Sequence, residues 1–543
     1  MNTSQGQQSR GISRRTFLGA LGAGAAAPAM VLGGDRSDYA QQHLHRLLRE
    51  RHVIRSDRFG RMFPHLPAFA IPSAKLNEAL LALGAKGGLM DAKDPLEGDP
   101  RRPVLLITDP VNSANNPDNP NHPAGTTFLG QFLDHDFTFD LESRLGIRTE
   151  PEDSANGRTP MLDLDTVYGG GPSLSPELYV RANRRVGPKL RIESGGRFED
   201  LPRTRDGVAI IGDPRNDENM MISGLHAAFI KFHNHVVDLV TKQHPRDDAD
   251  QIFGKARRMV TWHYHWIIVH EFLPLIIGRS RVTRLLEKGP TYFRTPVPFI
   301  PVEFQGAVYR LGHSMVRPSY RANFNGDIGG NPATNAPAFF GMIFDPASDG
   351  QADPVDLRGF TRAPRRFIGW QTFFEFDPVN VRRTKRLDTT ISSPLFNLPV
   401  ATIPREPFAP TSLPQRNLLR HVTWSLPSGQ AIAKEIGAAP LSSADFQPGV
   451  RDLGLDRSTP LWFYVLREAF VRHDGLQLGD VGSAIVGEVF IQILKSDASS
   501  YLAAYPNWRP TLPDRSGKVT GNFAMTDLLT YADVVNRGPG SPQ

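Results

Sequence analysis

The sequence predicts a mainly α protein, a large single helical domain with long irregular loops and little β. Three observations lead there. Apolar residues recur at spacings of three and four, as in Met221, Leu225, Phe229, Phe232, Val236 and Leu239, which is the pattern of a helix with one buried face. Glycine and proline number 49 and 46 of 543 residues, which demands long irregular connections. Runs that alternate apolar and polar residues, the mark of a half-buried strand, are few. Length alone would allow two to four domains or one unusually large one.

In chain order, residues 1–29 read as an address. "SRRTFLGALGAGAAAPAM" pairs Arg14 with Arg15, follows them with Phe17 and Leu18, and continues in a short Ala/Gly/Leu run, so it resembles a twin-arginine export signal and implies a periplasmic or extracellular location. The run is too short and glycine-rich for a stable membrane span, and Ala25, Ala27 and Ala29 offer alternative cleavage points. Residues 30–543 are expected to form the single domain. It opens with a helical pattern at Asp38–His52, followed by a loop-like region at 84–125 and a short helix within Gly130–Asp140. Residues 140–213 look irregular. The strongest helices are expected at 217–243 and 249–277, with another after Gly312. A second loop-rich region covers 319–410, and helices return at 412–422, 428–436, 458–472 and 481–495.

Composition excludes several chemistries. With no cysteine there are no disulfides, zinc–thiolate sites, iron–sulfur clusters or thiolate nucleophiles. The net charge of +6 comes from 62 basic and 56 acidic residues that are well mixed, with no concentrated basic face for nucleic acid.

Five clusters could carry chemistry. In "GQFLDHDFTFD", Gln131 and His135 are i and i+4 on one helical face, while Asp134 and Asp136 are each rotated ~100° from His135 to either side. Alone, this could be an acidic helix end with an incidental histidine. In "TPMLDLDTVYG", Thr159, the Met161 carbonyl, Asp163 and Asp165 offer oxygens at near-alternate positions, and with Asp136 they could wrap a hard cation such as calcium. An Asx-rich turn is the simpler alternative. "GDPRNDENMM" puts Arg215 and Glu218 at the start of a long helix, where Glu218 could merely serve the helix dipole. "YRLGHSMVRP" contains His313, and "LPQRNLLRH" contains Asn417.

In this order and with these residue types, the clusters resemble the animal-type haem peroxidases, from about Asp38 to the end of the chain. "LPSGQAIAKEIG" and "TPLWFYVLREAF" resemble bacterial members. The resemblance implies haem b and calcium as cofactors. His135 would be the distal base, Arg215 would polarise the peroxide O–O bond, and Gln131 would bond distal water or halide. His313 would ligate iron, steadied by Asn417, with Arg310 also facing the cofactor. Asp134 and Glu218 would form ester bonds to the haem, and Asp136, Thr159, Met161, Asp163 and Asp165 would hold calcium. Family members that add a sulfonium bond carry methionine one residue after the glutamate. Asn219 stands there, so that bond cannot form. The implied partners are hydrogen peroxide and small anionic or aromatic reductants.

Two other functions compete. A fatty-acid dioxygenase of the same fold would place a radical tyrosine three residues before the proximal histidine, but Arg310 occupies that position and Tyr309 is off by one. A catalytically silent scaffold would not need the full distal set. His263, His265 and His270 in "WHYHWIIVHEF" do not share one face and read as structural or partly exposed, and the "HNH" of His233–His235 reads as surface polarity on a helix.

Overall fold

Helix α3 (Gly125–Phe137) is the element on which the others converge, and its start shows how tightly it is seated. A β-carbon at Gly125 would lie 2.5 Å from the Phe374 ring, so only glycine lets the chain turn into the helix there. The computed structural model describes residues 58–535 except 100, 141, 183–184, 194–198, 324–338, 352, 361–365 and 400–408. The export signal expected at 1–29, its cleavage points and the helix expected at Asp38–His52 lie outside the described residues.

Two helices precede α3: α1 (Ala74–Leu83), capped by the Ser73 side chain, and α2 (Arg102–Thr108), with proline in its first turn. After α3 come α4 (Met220–Gln243), capped by Asn219, and α5 (Ala249–Ile267), opened by a capping box of Asp248 and Gln251. Phe132 of α3 stacks on Phe229 of α4 at 4.5 Å, and Tyr264 of α5 meets both rings edge-on. Aromatic pairs of this kind add about 0.5–1.5 kcal/mol each beyond simple burial. Further on are α6 (Arg279–Lys288), α7 (Leu413–Thr423), α8 (Gly429–Glu435), α9 (Leu461–His473) and α10 (Asp480–Ser496). Helix α10 is buried on most sides, and its Phe490 packs against Phe137 of α3, Phe304 and Tyr309.

The expected mainly α class is what the structure shows. Strands are confined to three antiparallel ribbons among the described residues: β1 (Asp118–Pro123) with β6 (Arg383–Lys385), β2 (Tyr179–Ala182) with β3 (Arg185–Leu190), and β4 (Ser319–Arg321) with β5 (Phe340–Met342).

Several local expectations need correction. The loop expected at 84–125 contains α2 and β1, and the irregular stretch at 140–213 contains the β2–β3 ribbon. The helix expected at 249–277 is interrupted by a widened π turn at Ile268–Phe272. Pro274 follows after one intervening residue, and having no N–H it cannot sustain regular helical bonding back to His270. His233 is buried rather than part of a polar surface: it pairs with the Tyr168 hydroxyl and the Pro188 carbonyl. No described helix is long and apolar enough to cross a membrane.

Candidate active site

Helix α3 brings Gln131, Asp134 and His135 to one cavity, joined there by Arg215, Glu218, Arg310 and His313. His135 is buried, and its Nδ1 lies 2.7 Å from Asn216 Oδ1. Asn216 Nδ2 lies 3.0 Å from Nδ1 of the buried His226, so the amide bridges the two rings with its oxygen towards His135 and its nitrogen towards His226. His135 therefore carries its proton on Nδ1 and keeps a lone pair on Nε2. Burial and the nearby Arg215 lower its pKa to about 3, so the ring is neutral. Asn216 was not anticipated from the sequence. Its signal was adjacency to Arg215, yet an asparagine in a Pro/Asp-rich turn reads first as turn chemistry.

Arg215 is held in place on all sides but one. Asp213 caps its turn, accepting from Arg215 N at 2.9 Å and from Nη2 at 2.7 Å. The same Nη2 donates to the carbonyls of Thr138 and His135 at 2.7 and 3.1 Å, and the guanidinium sits 4.2 Å from the centre of the Phe139 ring. Its Nη1 reaches Asp134 at 4.0 Å. Asp213 also receives Arg158 Nη2 at 2.5 Å. Burial alone would raise the pKa of Asp213, but Arg158 and Arg215 outweigh it and hold the carboxyl well below its ordinary range.

Asp134 accepts from Thr138 Oγ1 at 3.0 Å and Glu218 from Gln131 Nε2 at 3.3 Å. Burial raises both pKa values, that of Glu218 to about 8. Asn219 donates to Gln131 Oε1 at 3.1 Å while its own Oδ1 caps α4.

His313 sits on a single helical turn, Gly312–Met315. Its Nδ1 is 2.7 Å from Nδ2 of Asn417 on α7, and Arg310 Nη1 stands 3.5 Å from the same amide at Oδ1. With the amide oxygen turned to the ring instead, at the cost of the long contact to Arg310, Nδ1–H would donate and Nε2 would keep a lone pair. Burial lowers His313 to about 3 and Arg310 to about 9. The cavity measures about 310 Å³, within the range of small-molecule and cofactor sites.

Beneath α3, carboxylate oxygens of Asp136, Asp163 and Asp165 lie within 4.8 Å of one another. Asp136 Oδ2 accepts from Leu164 N and Tyr264 Oη, both at 3.1 Å, and Thr159 Oγ1 reaches Asp163 at 3.3 Å. Met161 lies on the same loop, with its N–H bonded to Thr159 O at 2.7 Å. Leu164 takes a left-handed conformation, φ +59°, between the two acids. For a branched residue this costs roughly 1–2 kcal/mol. Arg158 lies 3.3 Å from Asp165 and Arg257 3.3 Å from Asp163. Even so, burial and then repulsion from Asp165 and Asp163 push the pKa of Asp136 far upward.

In overall shape the protein is similar to peroxidase A from Dictyostelium discoideum (16% identity, 82% of this chain and 89% of that one, TM-score 0.52). It is equally similar to a fatty acid alpha-dioxygenase from Oryza sativa (15% identity, 92% of this chain and 89% of that one, TM-score 0.54). These likenesses show a shared helical fold. Residues 141–367 match the family model for animal haem peroxidase. Relatives include human eosinophil peroxidase, 27% identical over 236 residues that make up 39% of this chain and 32% of that protein. Canine thyroid peroxidase is 27% identical over 238 residues, 40% of this chain and 25% of that protein. The matched segment thus spans a third or less of these relatives' own length.

The ion cluster yields a stability prediction. Arg158→Met should destabilise the fold by roughly 3–5 kcal/mol, because Asp213 and Asp165 lose a buried cation. Urea unfolding measures it, and a loss below about 1 kcal/mol would show that the cluster matters little.

Proposed function

We propose that the protein is a haem peroxidase that reduces hydrogen peroxide and oxidises halides, pseudohalides or small aromatic donors. The observation that carries the reading is a pair of imidazoles in one cavity, His135 buried and His313 half-buried, each anchored at Nδ1 by an asparagine and each with Nε2 left for the cavity. The cavity suits haem. Phe128, Phe272, Phe344, Leu395 and Leu398 supply apolar walls, while Arg310, Arg416 and Arg420 supply cations for its carboxylates. A β-carbon at Gly312, beside His313, would meet nothing within 4 Å, so there is room next to the imidazole.

His313 Nε2 would ligate the iron, with Asn417 setting the ring's orientation. Haem, when bound, supplies the centre at which peroxide takes up two electrons. His135 Nε2 accepts a proton from one peroxide oxygen and returns it to the oxygen that departs as water. Arg215, immobilised by Asp213, stabilises the charge that develops as the O–O bond breaks. Gln131, gripped by Glu218 and Asn219, positions water or a small anion beside His135. Calcium in the cluster of Asp136, Asp163 and Asp165, with Thr159 and Met161 completing the loop, would neutralise the repulsion there and lock α3 in place. Export by the twin-arginine route, as residues 1–29 suggest, would carry the folded, cofactor-loaded protein across the membrane.

The test is holoprotein assayed with hydrogen peroxide against iodide, bromide, thiocyanate, chloride and a phenolic dye. His135→Leu should lower kcat by roughly 10²–10⁴ with haem content unchanged, and His313→Ala should lose stably bound haem. Wild-type protein that oxidises none of these donors would sink the reading. Tyr309 lines the cavity and donates to Gly130 O at 3.2 Å, which keeps fatty-acid oxygenation as a second reading. Tyr309→Phe separates the two: peroxidation of iodide survives it, whereas oxygenation through a tyrosyl radical would not.

Calcium at 100–1,000 times its Kd should add about 3–4 kcal/mol to the unfolding free energy. Asp136→Asn should abolish that gain. A parent protein whose Tm ignores both calcium and EGTA has no such site.

Asp134 and Glu218, which both line the cavity, would form the esters, and Asn219 offers no sulfur for a further link. After peroxide treatment, acidified organic solvent should leave much of the haem on wild type and extract it from Asp134→Ala plus Glu218→Ala protein. Complete extraction of unmodified haem from treated wild type would refute the covalent linkage alone.

A further inference from the structure

Apart from Phe272 at its end, the motif "WHYHWIIVHEF" stays out of the cavity, yet the structure gives it a direction. On the surface, Trp262, Tyr505 and Trp508 line a shallow pocket with Arg258. Tyr505 is 65% exposed, so burial explains little of its presence there. Its ring lies 5.7 Å from that of Trp262, which lies 5.4 Å from Trp508. Trp508 is 5.5 Å from the buried Tyr501 and 6.2 Å from the buried Trp266. From Tyr501 the next ring is His265 at 6.5 Å, and from His265 it is Tyr264 at 6.0 Å. Tyr264 meets the Phe132 ring edge-on at 6.3 Å, three residues before His135 on α3. Aromatic rings thus lead from solvent to α3 beside the cavity, with the tryptophans and tyrosines as the oxidisable members and His265 and Phe132 as intervening rings.

We propose that the Trp262–Tyr505–Trp508 pocket is an electron-uptake site, at which aromatic anions too bulky for the buried cavity are oxidised one electron at a time. The idea rests on the peroxidase reading. Each donor molecule at the pocket loses one electron, which travels inward through Trp508, Tyr501 and Tyr264. Two such electrons, with two protons from solvent, convert one hydrogen peroxide into two waters. Tyr501 has the means to relay: its hydroxyl is 3.2 Å from His270 Nε2. Oxidised Tyr501 passes its proton to that nitrogen and recovers it when the next electron arrives. His270 stacks on Trp266 at 3.7 Å, and burial, reinforced by Arg509 and Arg279, keeps it neutral and able to accept. The donor's chemistry follows from the pocket. Three aromatic faces favour a flat ring, and Arg258 and Arg509, whose guanidinium groups lie over Trp262 and Trp266, favour an anionic one.

Simple packing would be served as well by phenylalanine, and this gives the test. Haem-loaded wild type and a Trp508→Phe plus Tyr501→Phe variant are compared with hydrogen peroxide on iodide and on a large sulfonated azo dye. The variant should keep iodide oxidation within about twofold and lose at least about tenfold in kcat/KM for the dye. Arg258→Gln should raise KM for the dye and leave kcat alone. Freeze-quenched wild type, treated with peroxide and no donor, should show an aromatic radical by electron paramagnetic resonance that the double variant lacks. If the double variant fails to fold, Tyr505→Ser at its exposed position carries the same dye comparison. Unchanged dye kinetics in the folded variant overturn the proposal. Wild type that oxidises iodide but not the dye overturns it while sparing the peroxidase reading, and wild type that oxidises neither overturns both.

Discussion

Asp213 is a fully buried carboxylate that remains an anion because two guanidinium groups are folded onto it. Each of those groups has a second obligation. Arg158 also reaches Asp165 on the acidic loop, and Arg215 also bonds the His135 and Thr138 carbonyls at the end of α3. These carbonyls belong to the last turn of the helix, where backbone acceptors have no intrahelical partner. One charge thus ties the acidic loop, the turn before α4 and the end of α3 into a unit. Gly212 shows how close the fit is, since a β-carbon there would come 2.4 Å from the Thr166 carbonyl.

Within that frame the ring orientations are set by neutral groups. Both cavity imidazoles rest on asparagines, and His226 rests on the far end of Asn216. An aspartate in either place would orient the ring equally well, but would draw a proton onto it and favour the imidazolium. An amide fixes direction without moving charge. The rings therefore stay neutral, with burial the main reason in each case.

How much of this could be read from the sequence depended on range. The helical pattern of Met221 to Leu239 comes from local periodicity and appears as α4. The spread of Gln131, Asp134, His135 and Asp136 around one short helix follows from geometry, and the structure puts the first three on the cavity and Asp136 beneath it. What was illegible depends on distant partners. Asn216 matters because α3 lies against its turn, and Arg158 because Asp213, 55 residues away, faces it. The "HNH" histidines looked like surface polarity because nothing nearby says that Tyr168 and the Pro188 carbonyl close over His233. Tyr501 and Trp508 are likewise ordinary residues until the fold lays them against Trp262 and Trp266.

Asn219 shows how one position can answer local and distant demands together. Its Oδ1 accepts from Ile222 N, which satisfies one of the free donors at the start of α4. Its Nδ2 donates to Gln131 Oε1, and Gln131 Nε2 then donates to Glu218. An aspartate would cap the helix but would face the Gln131 oxygen with a second acceptor, and a serine would be too short to span both. A methionine would offer neither bond, leaving the first turn of α4 without its side-chain cap and the glutamine free to rotate. The side chain that fits this wall is therefore one that accepts on one side and donates on the other, and the orientation of Gln131 over the cavity is inherited from the cap of a helix.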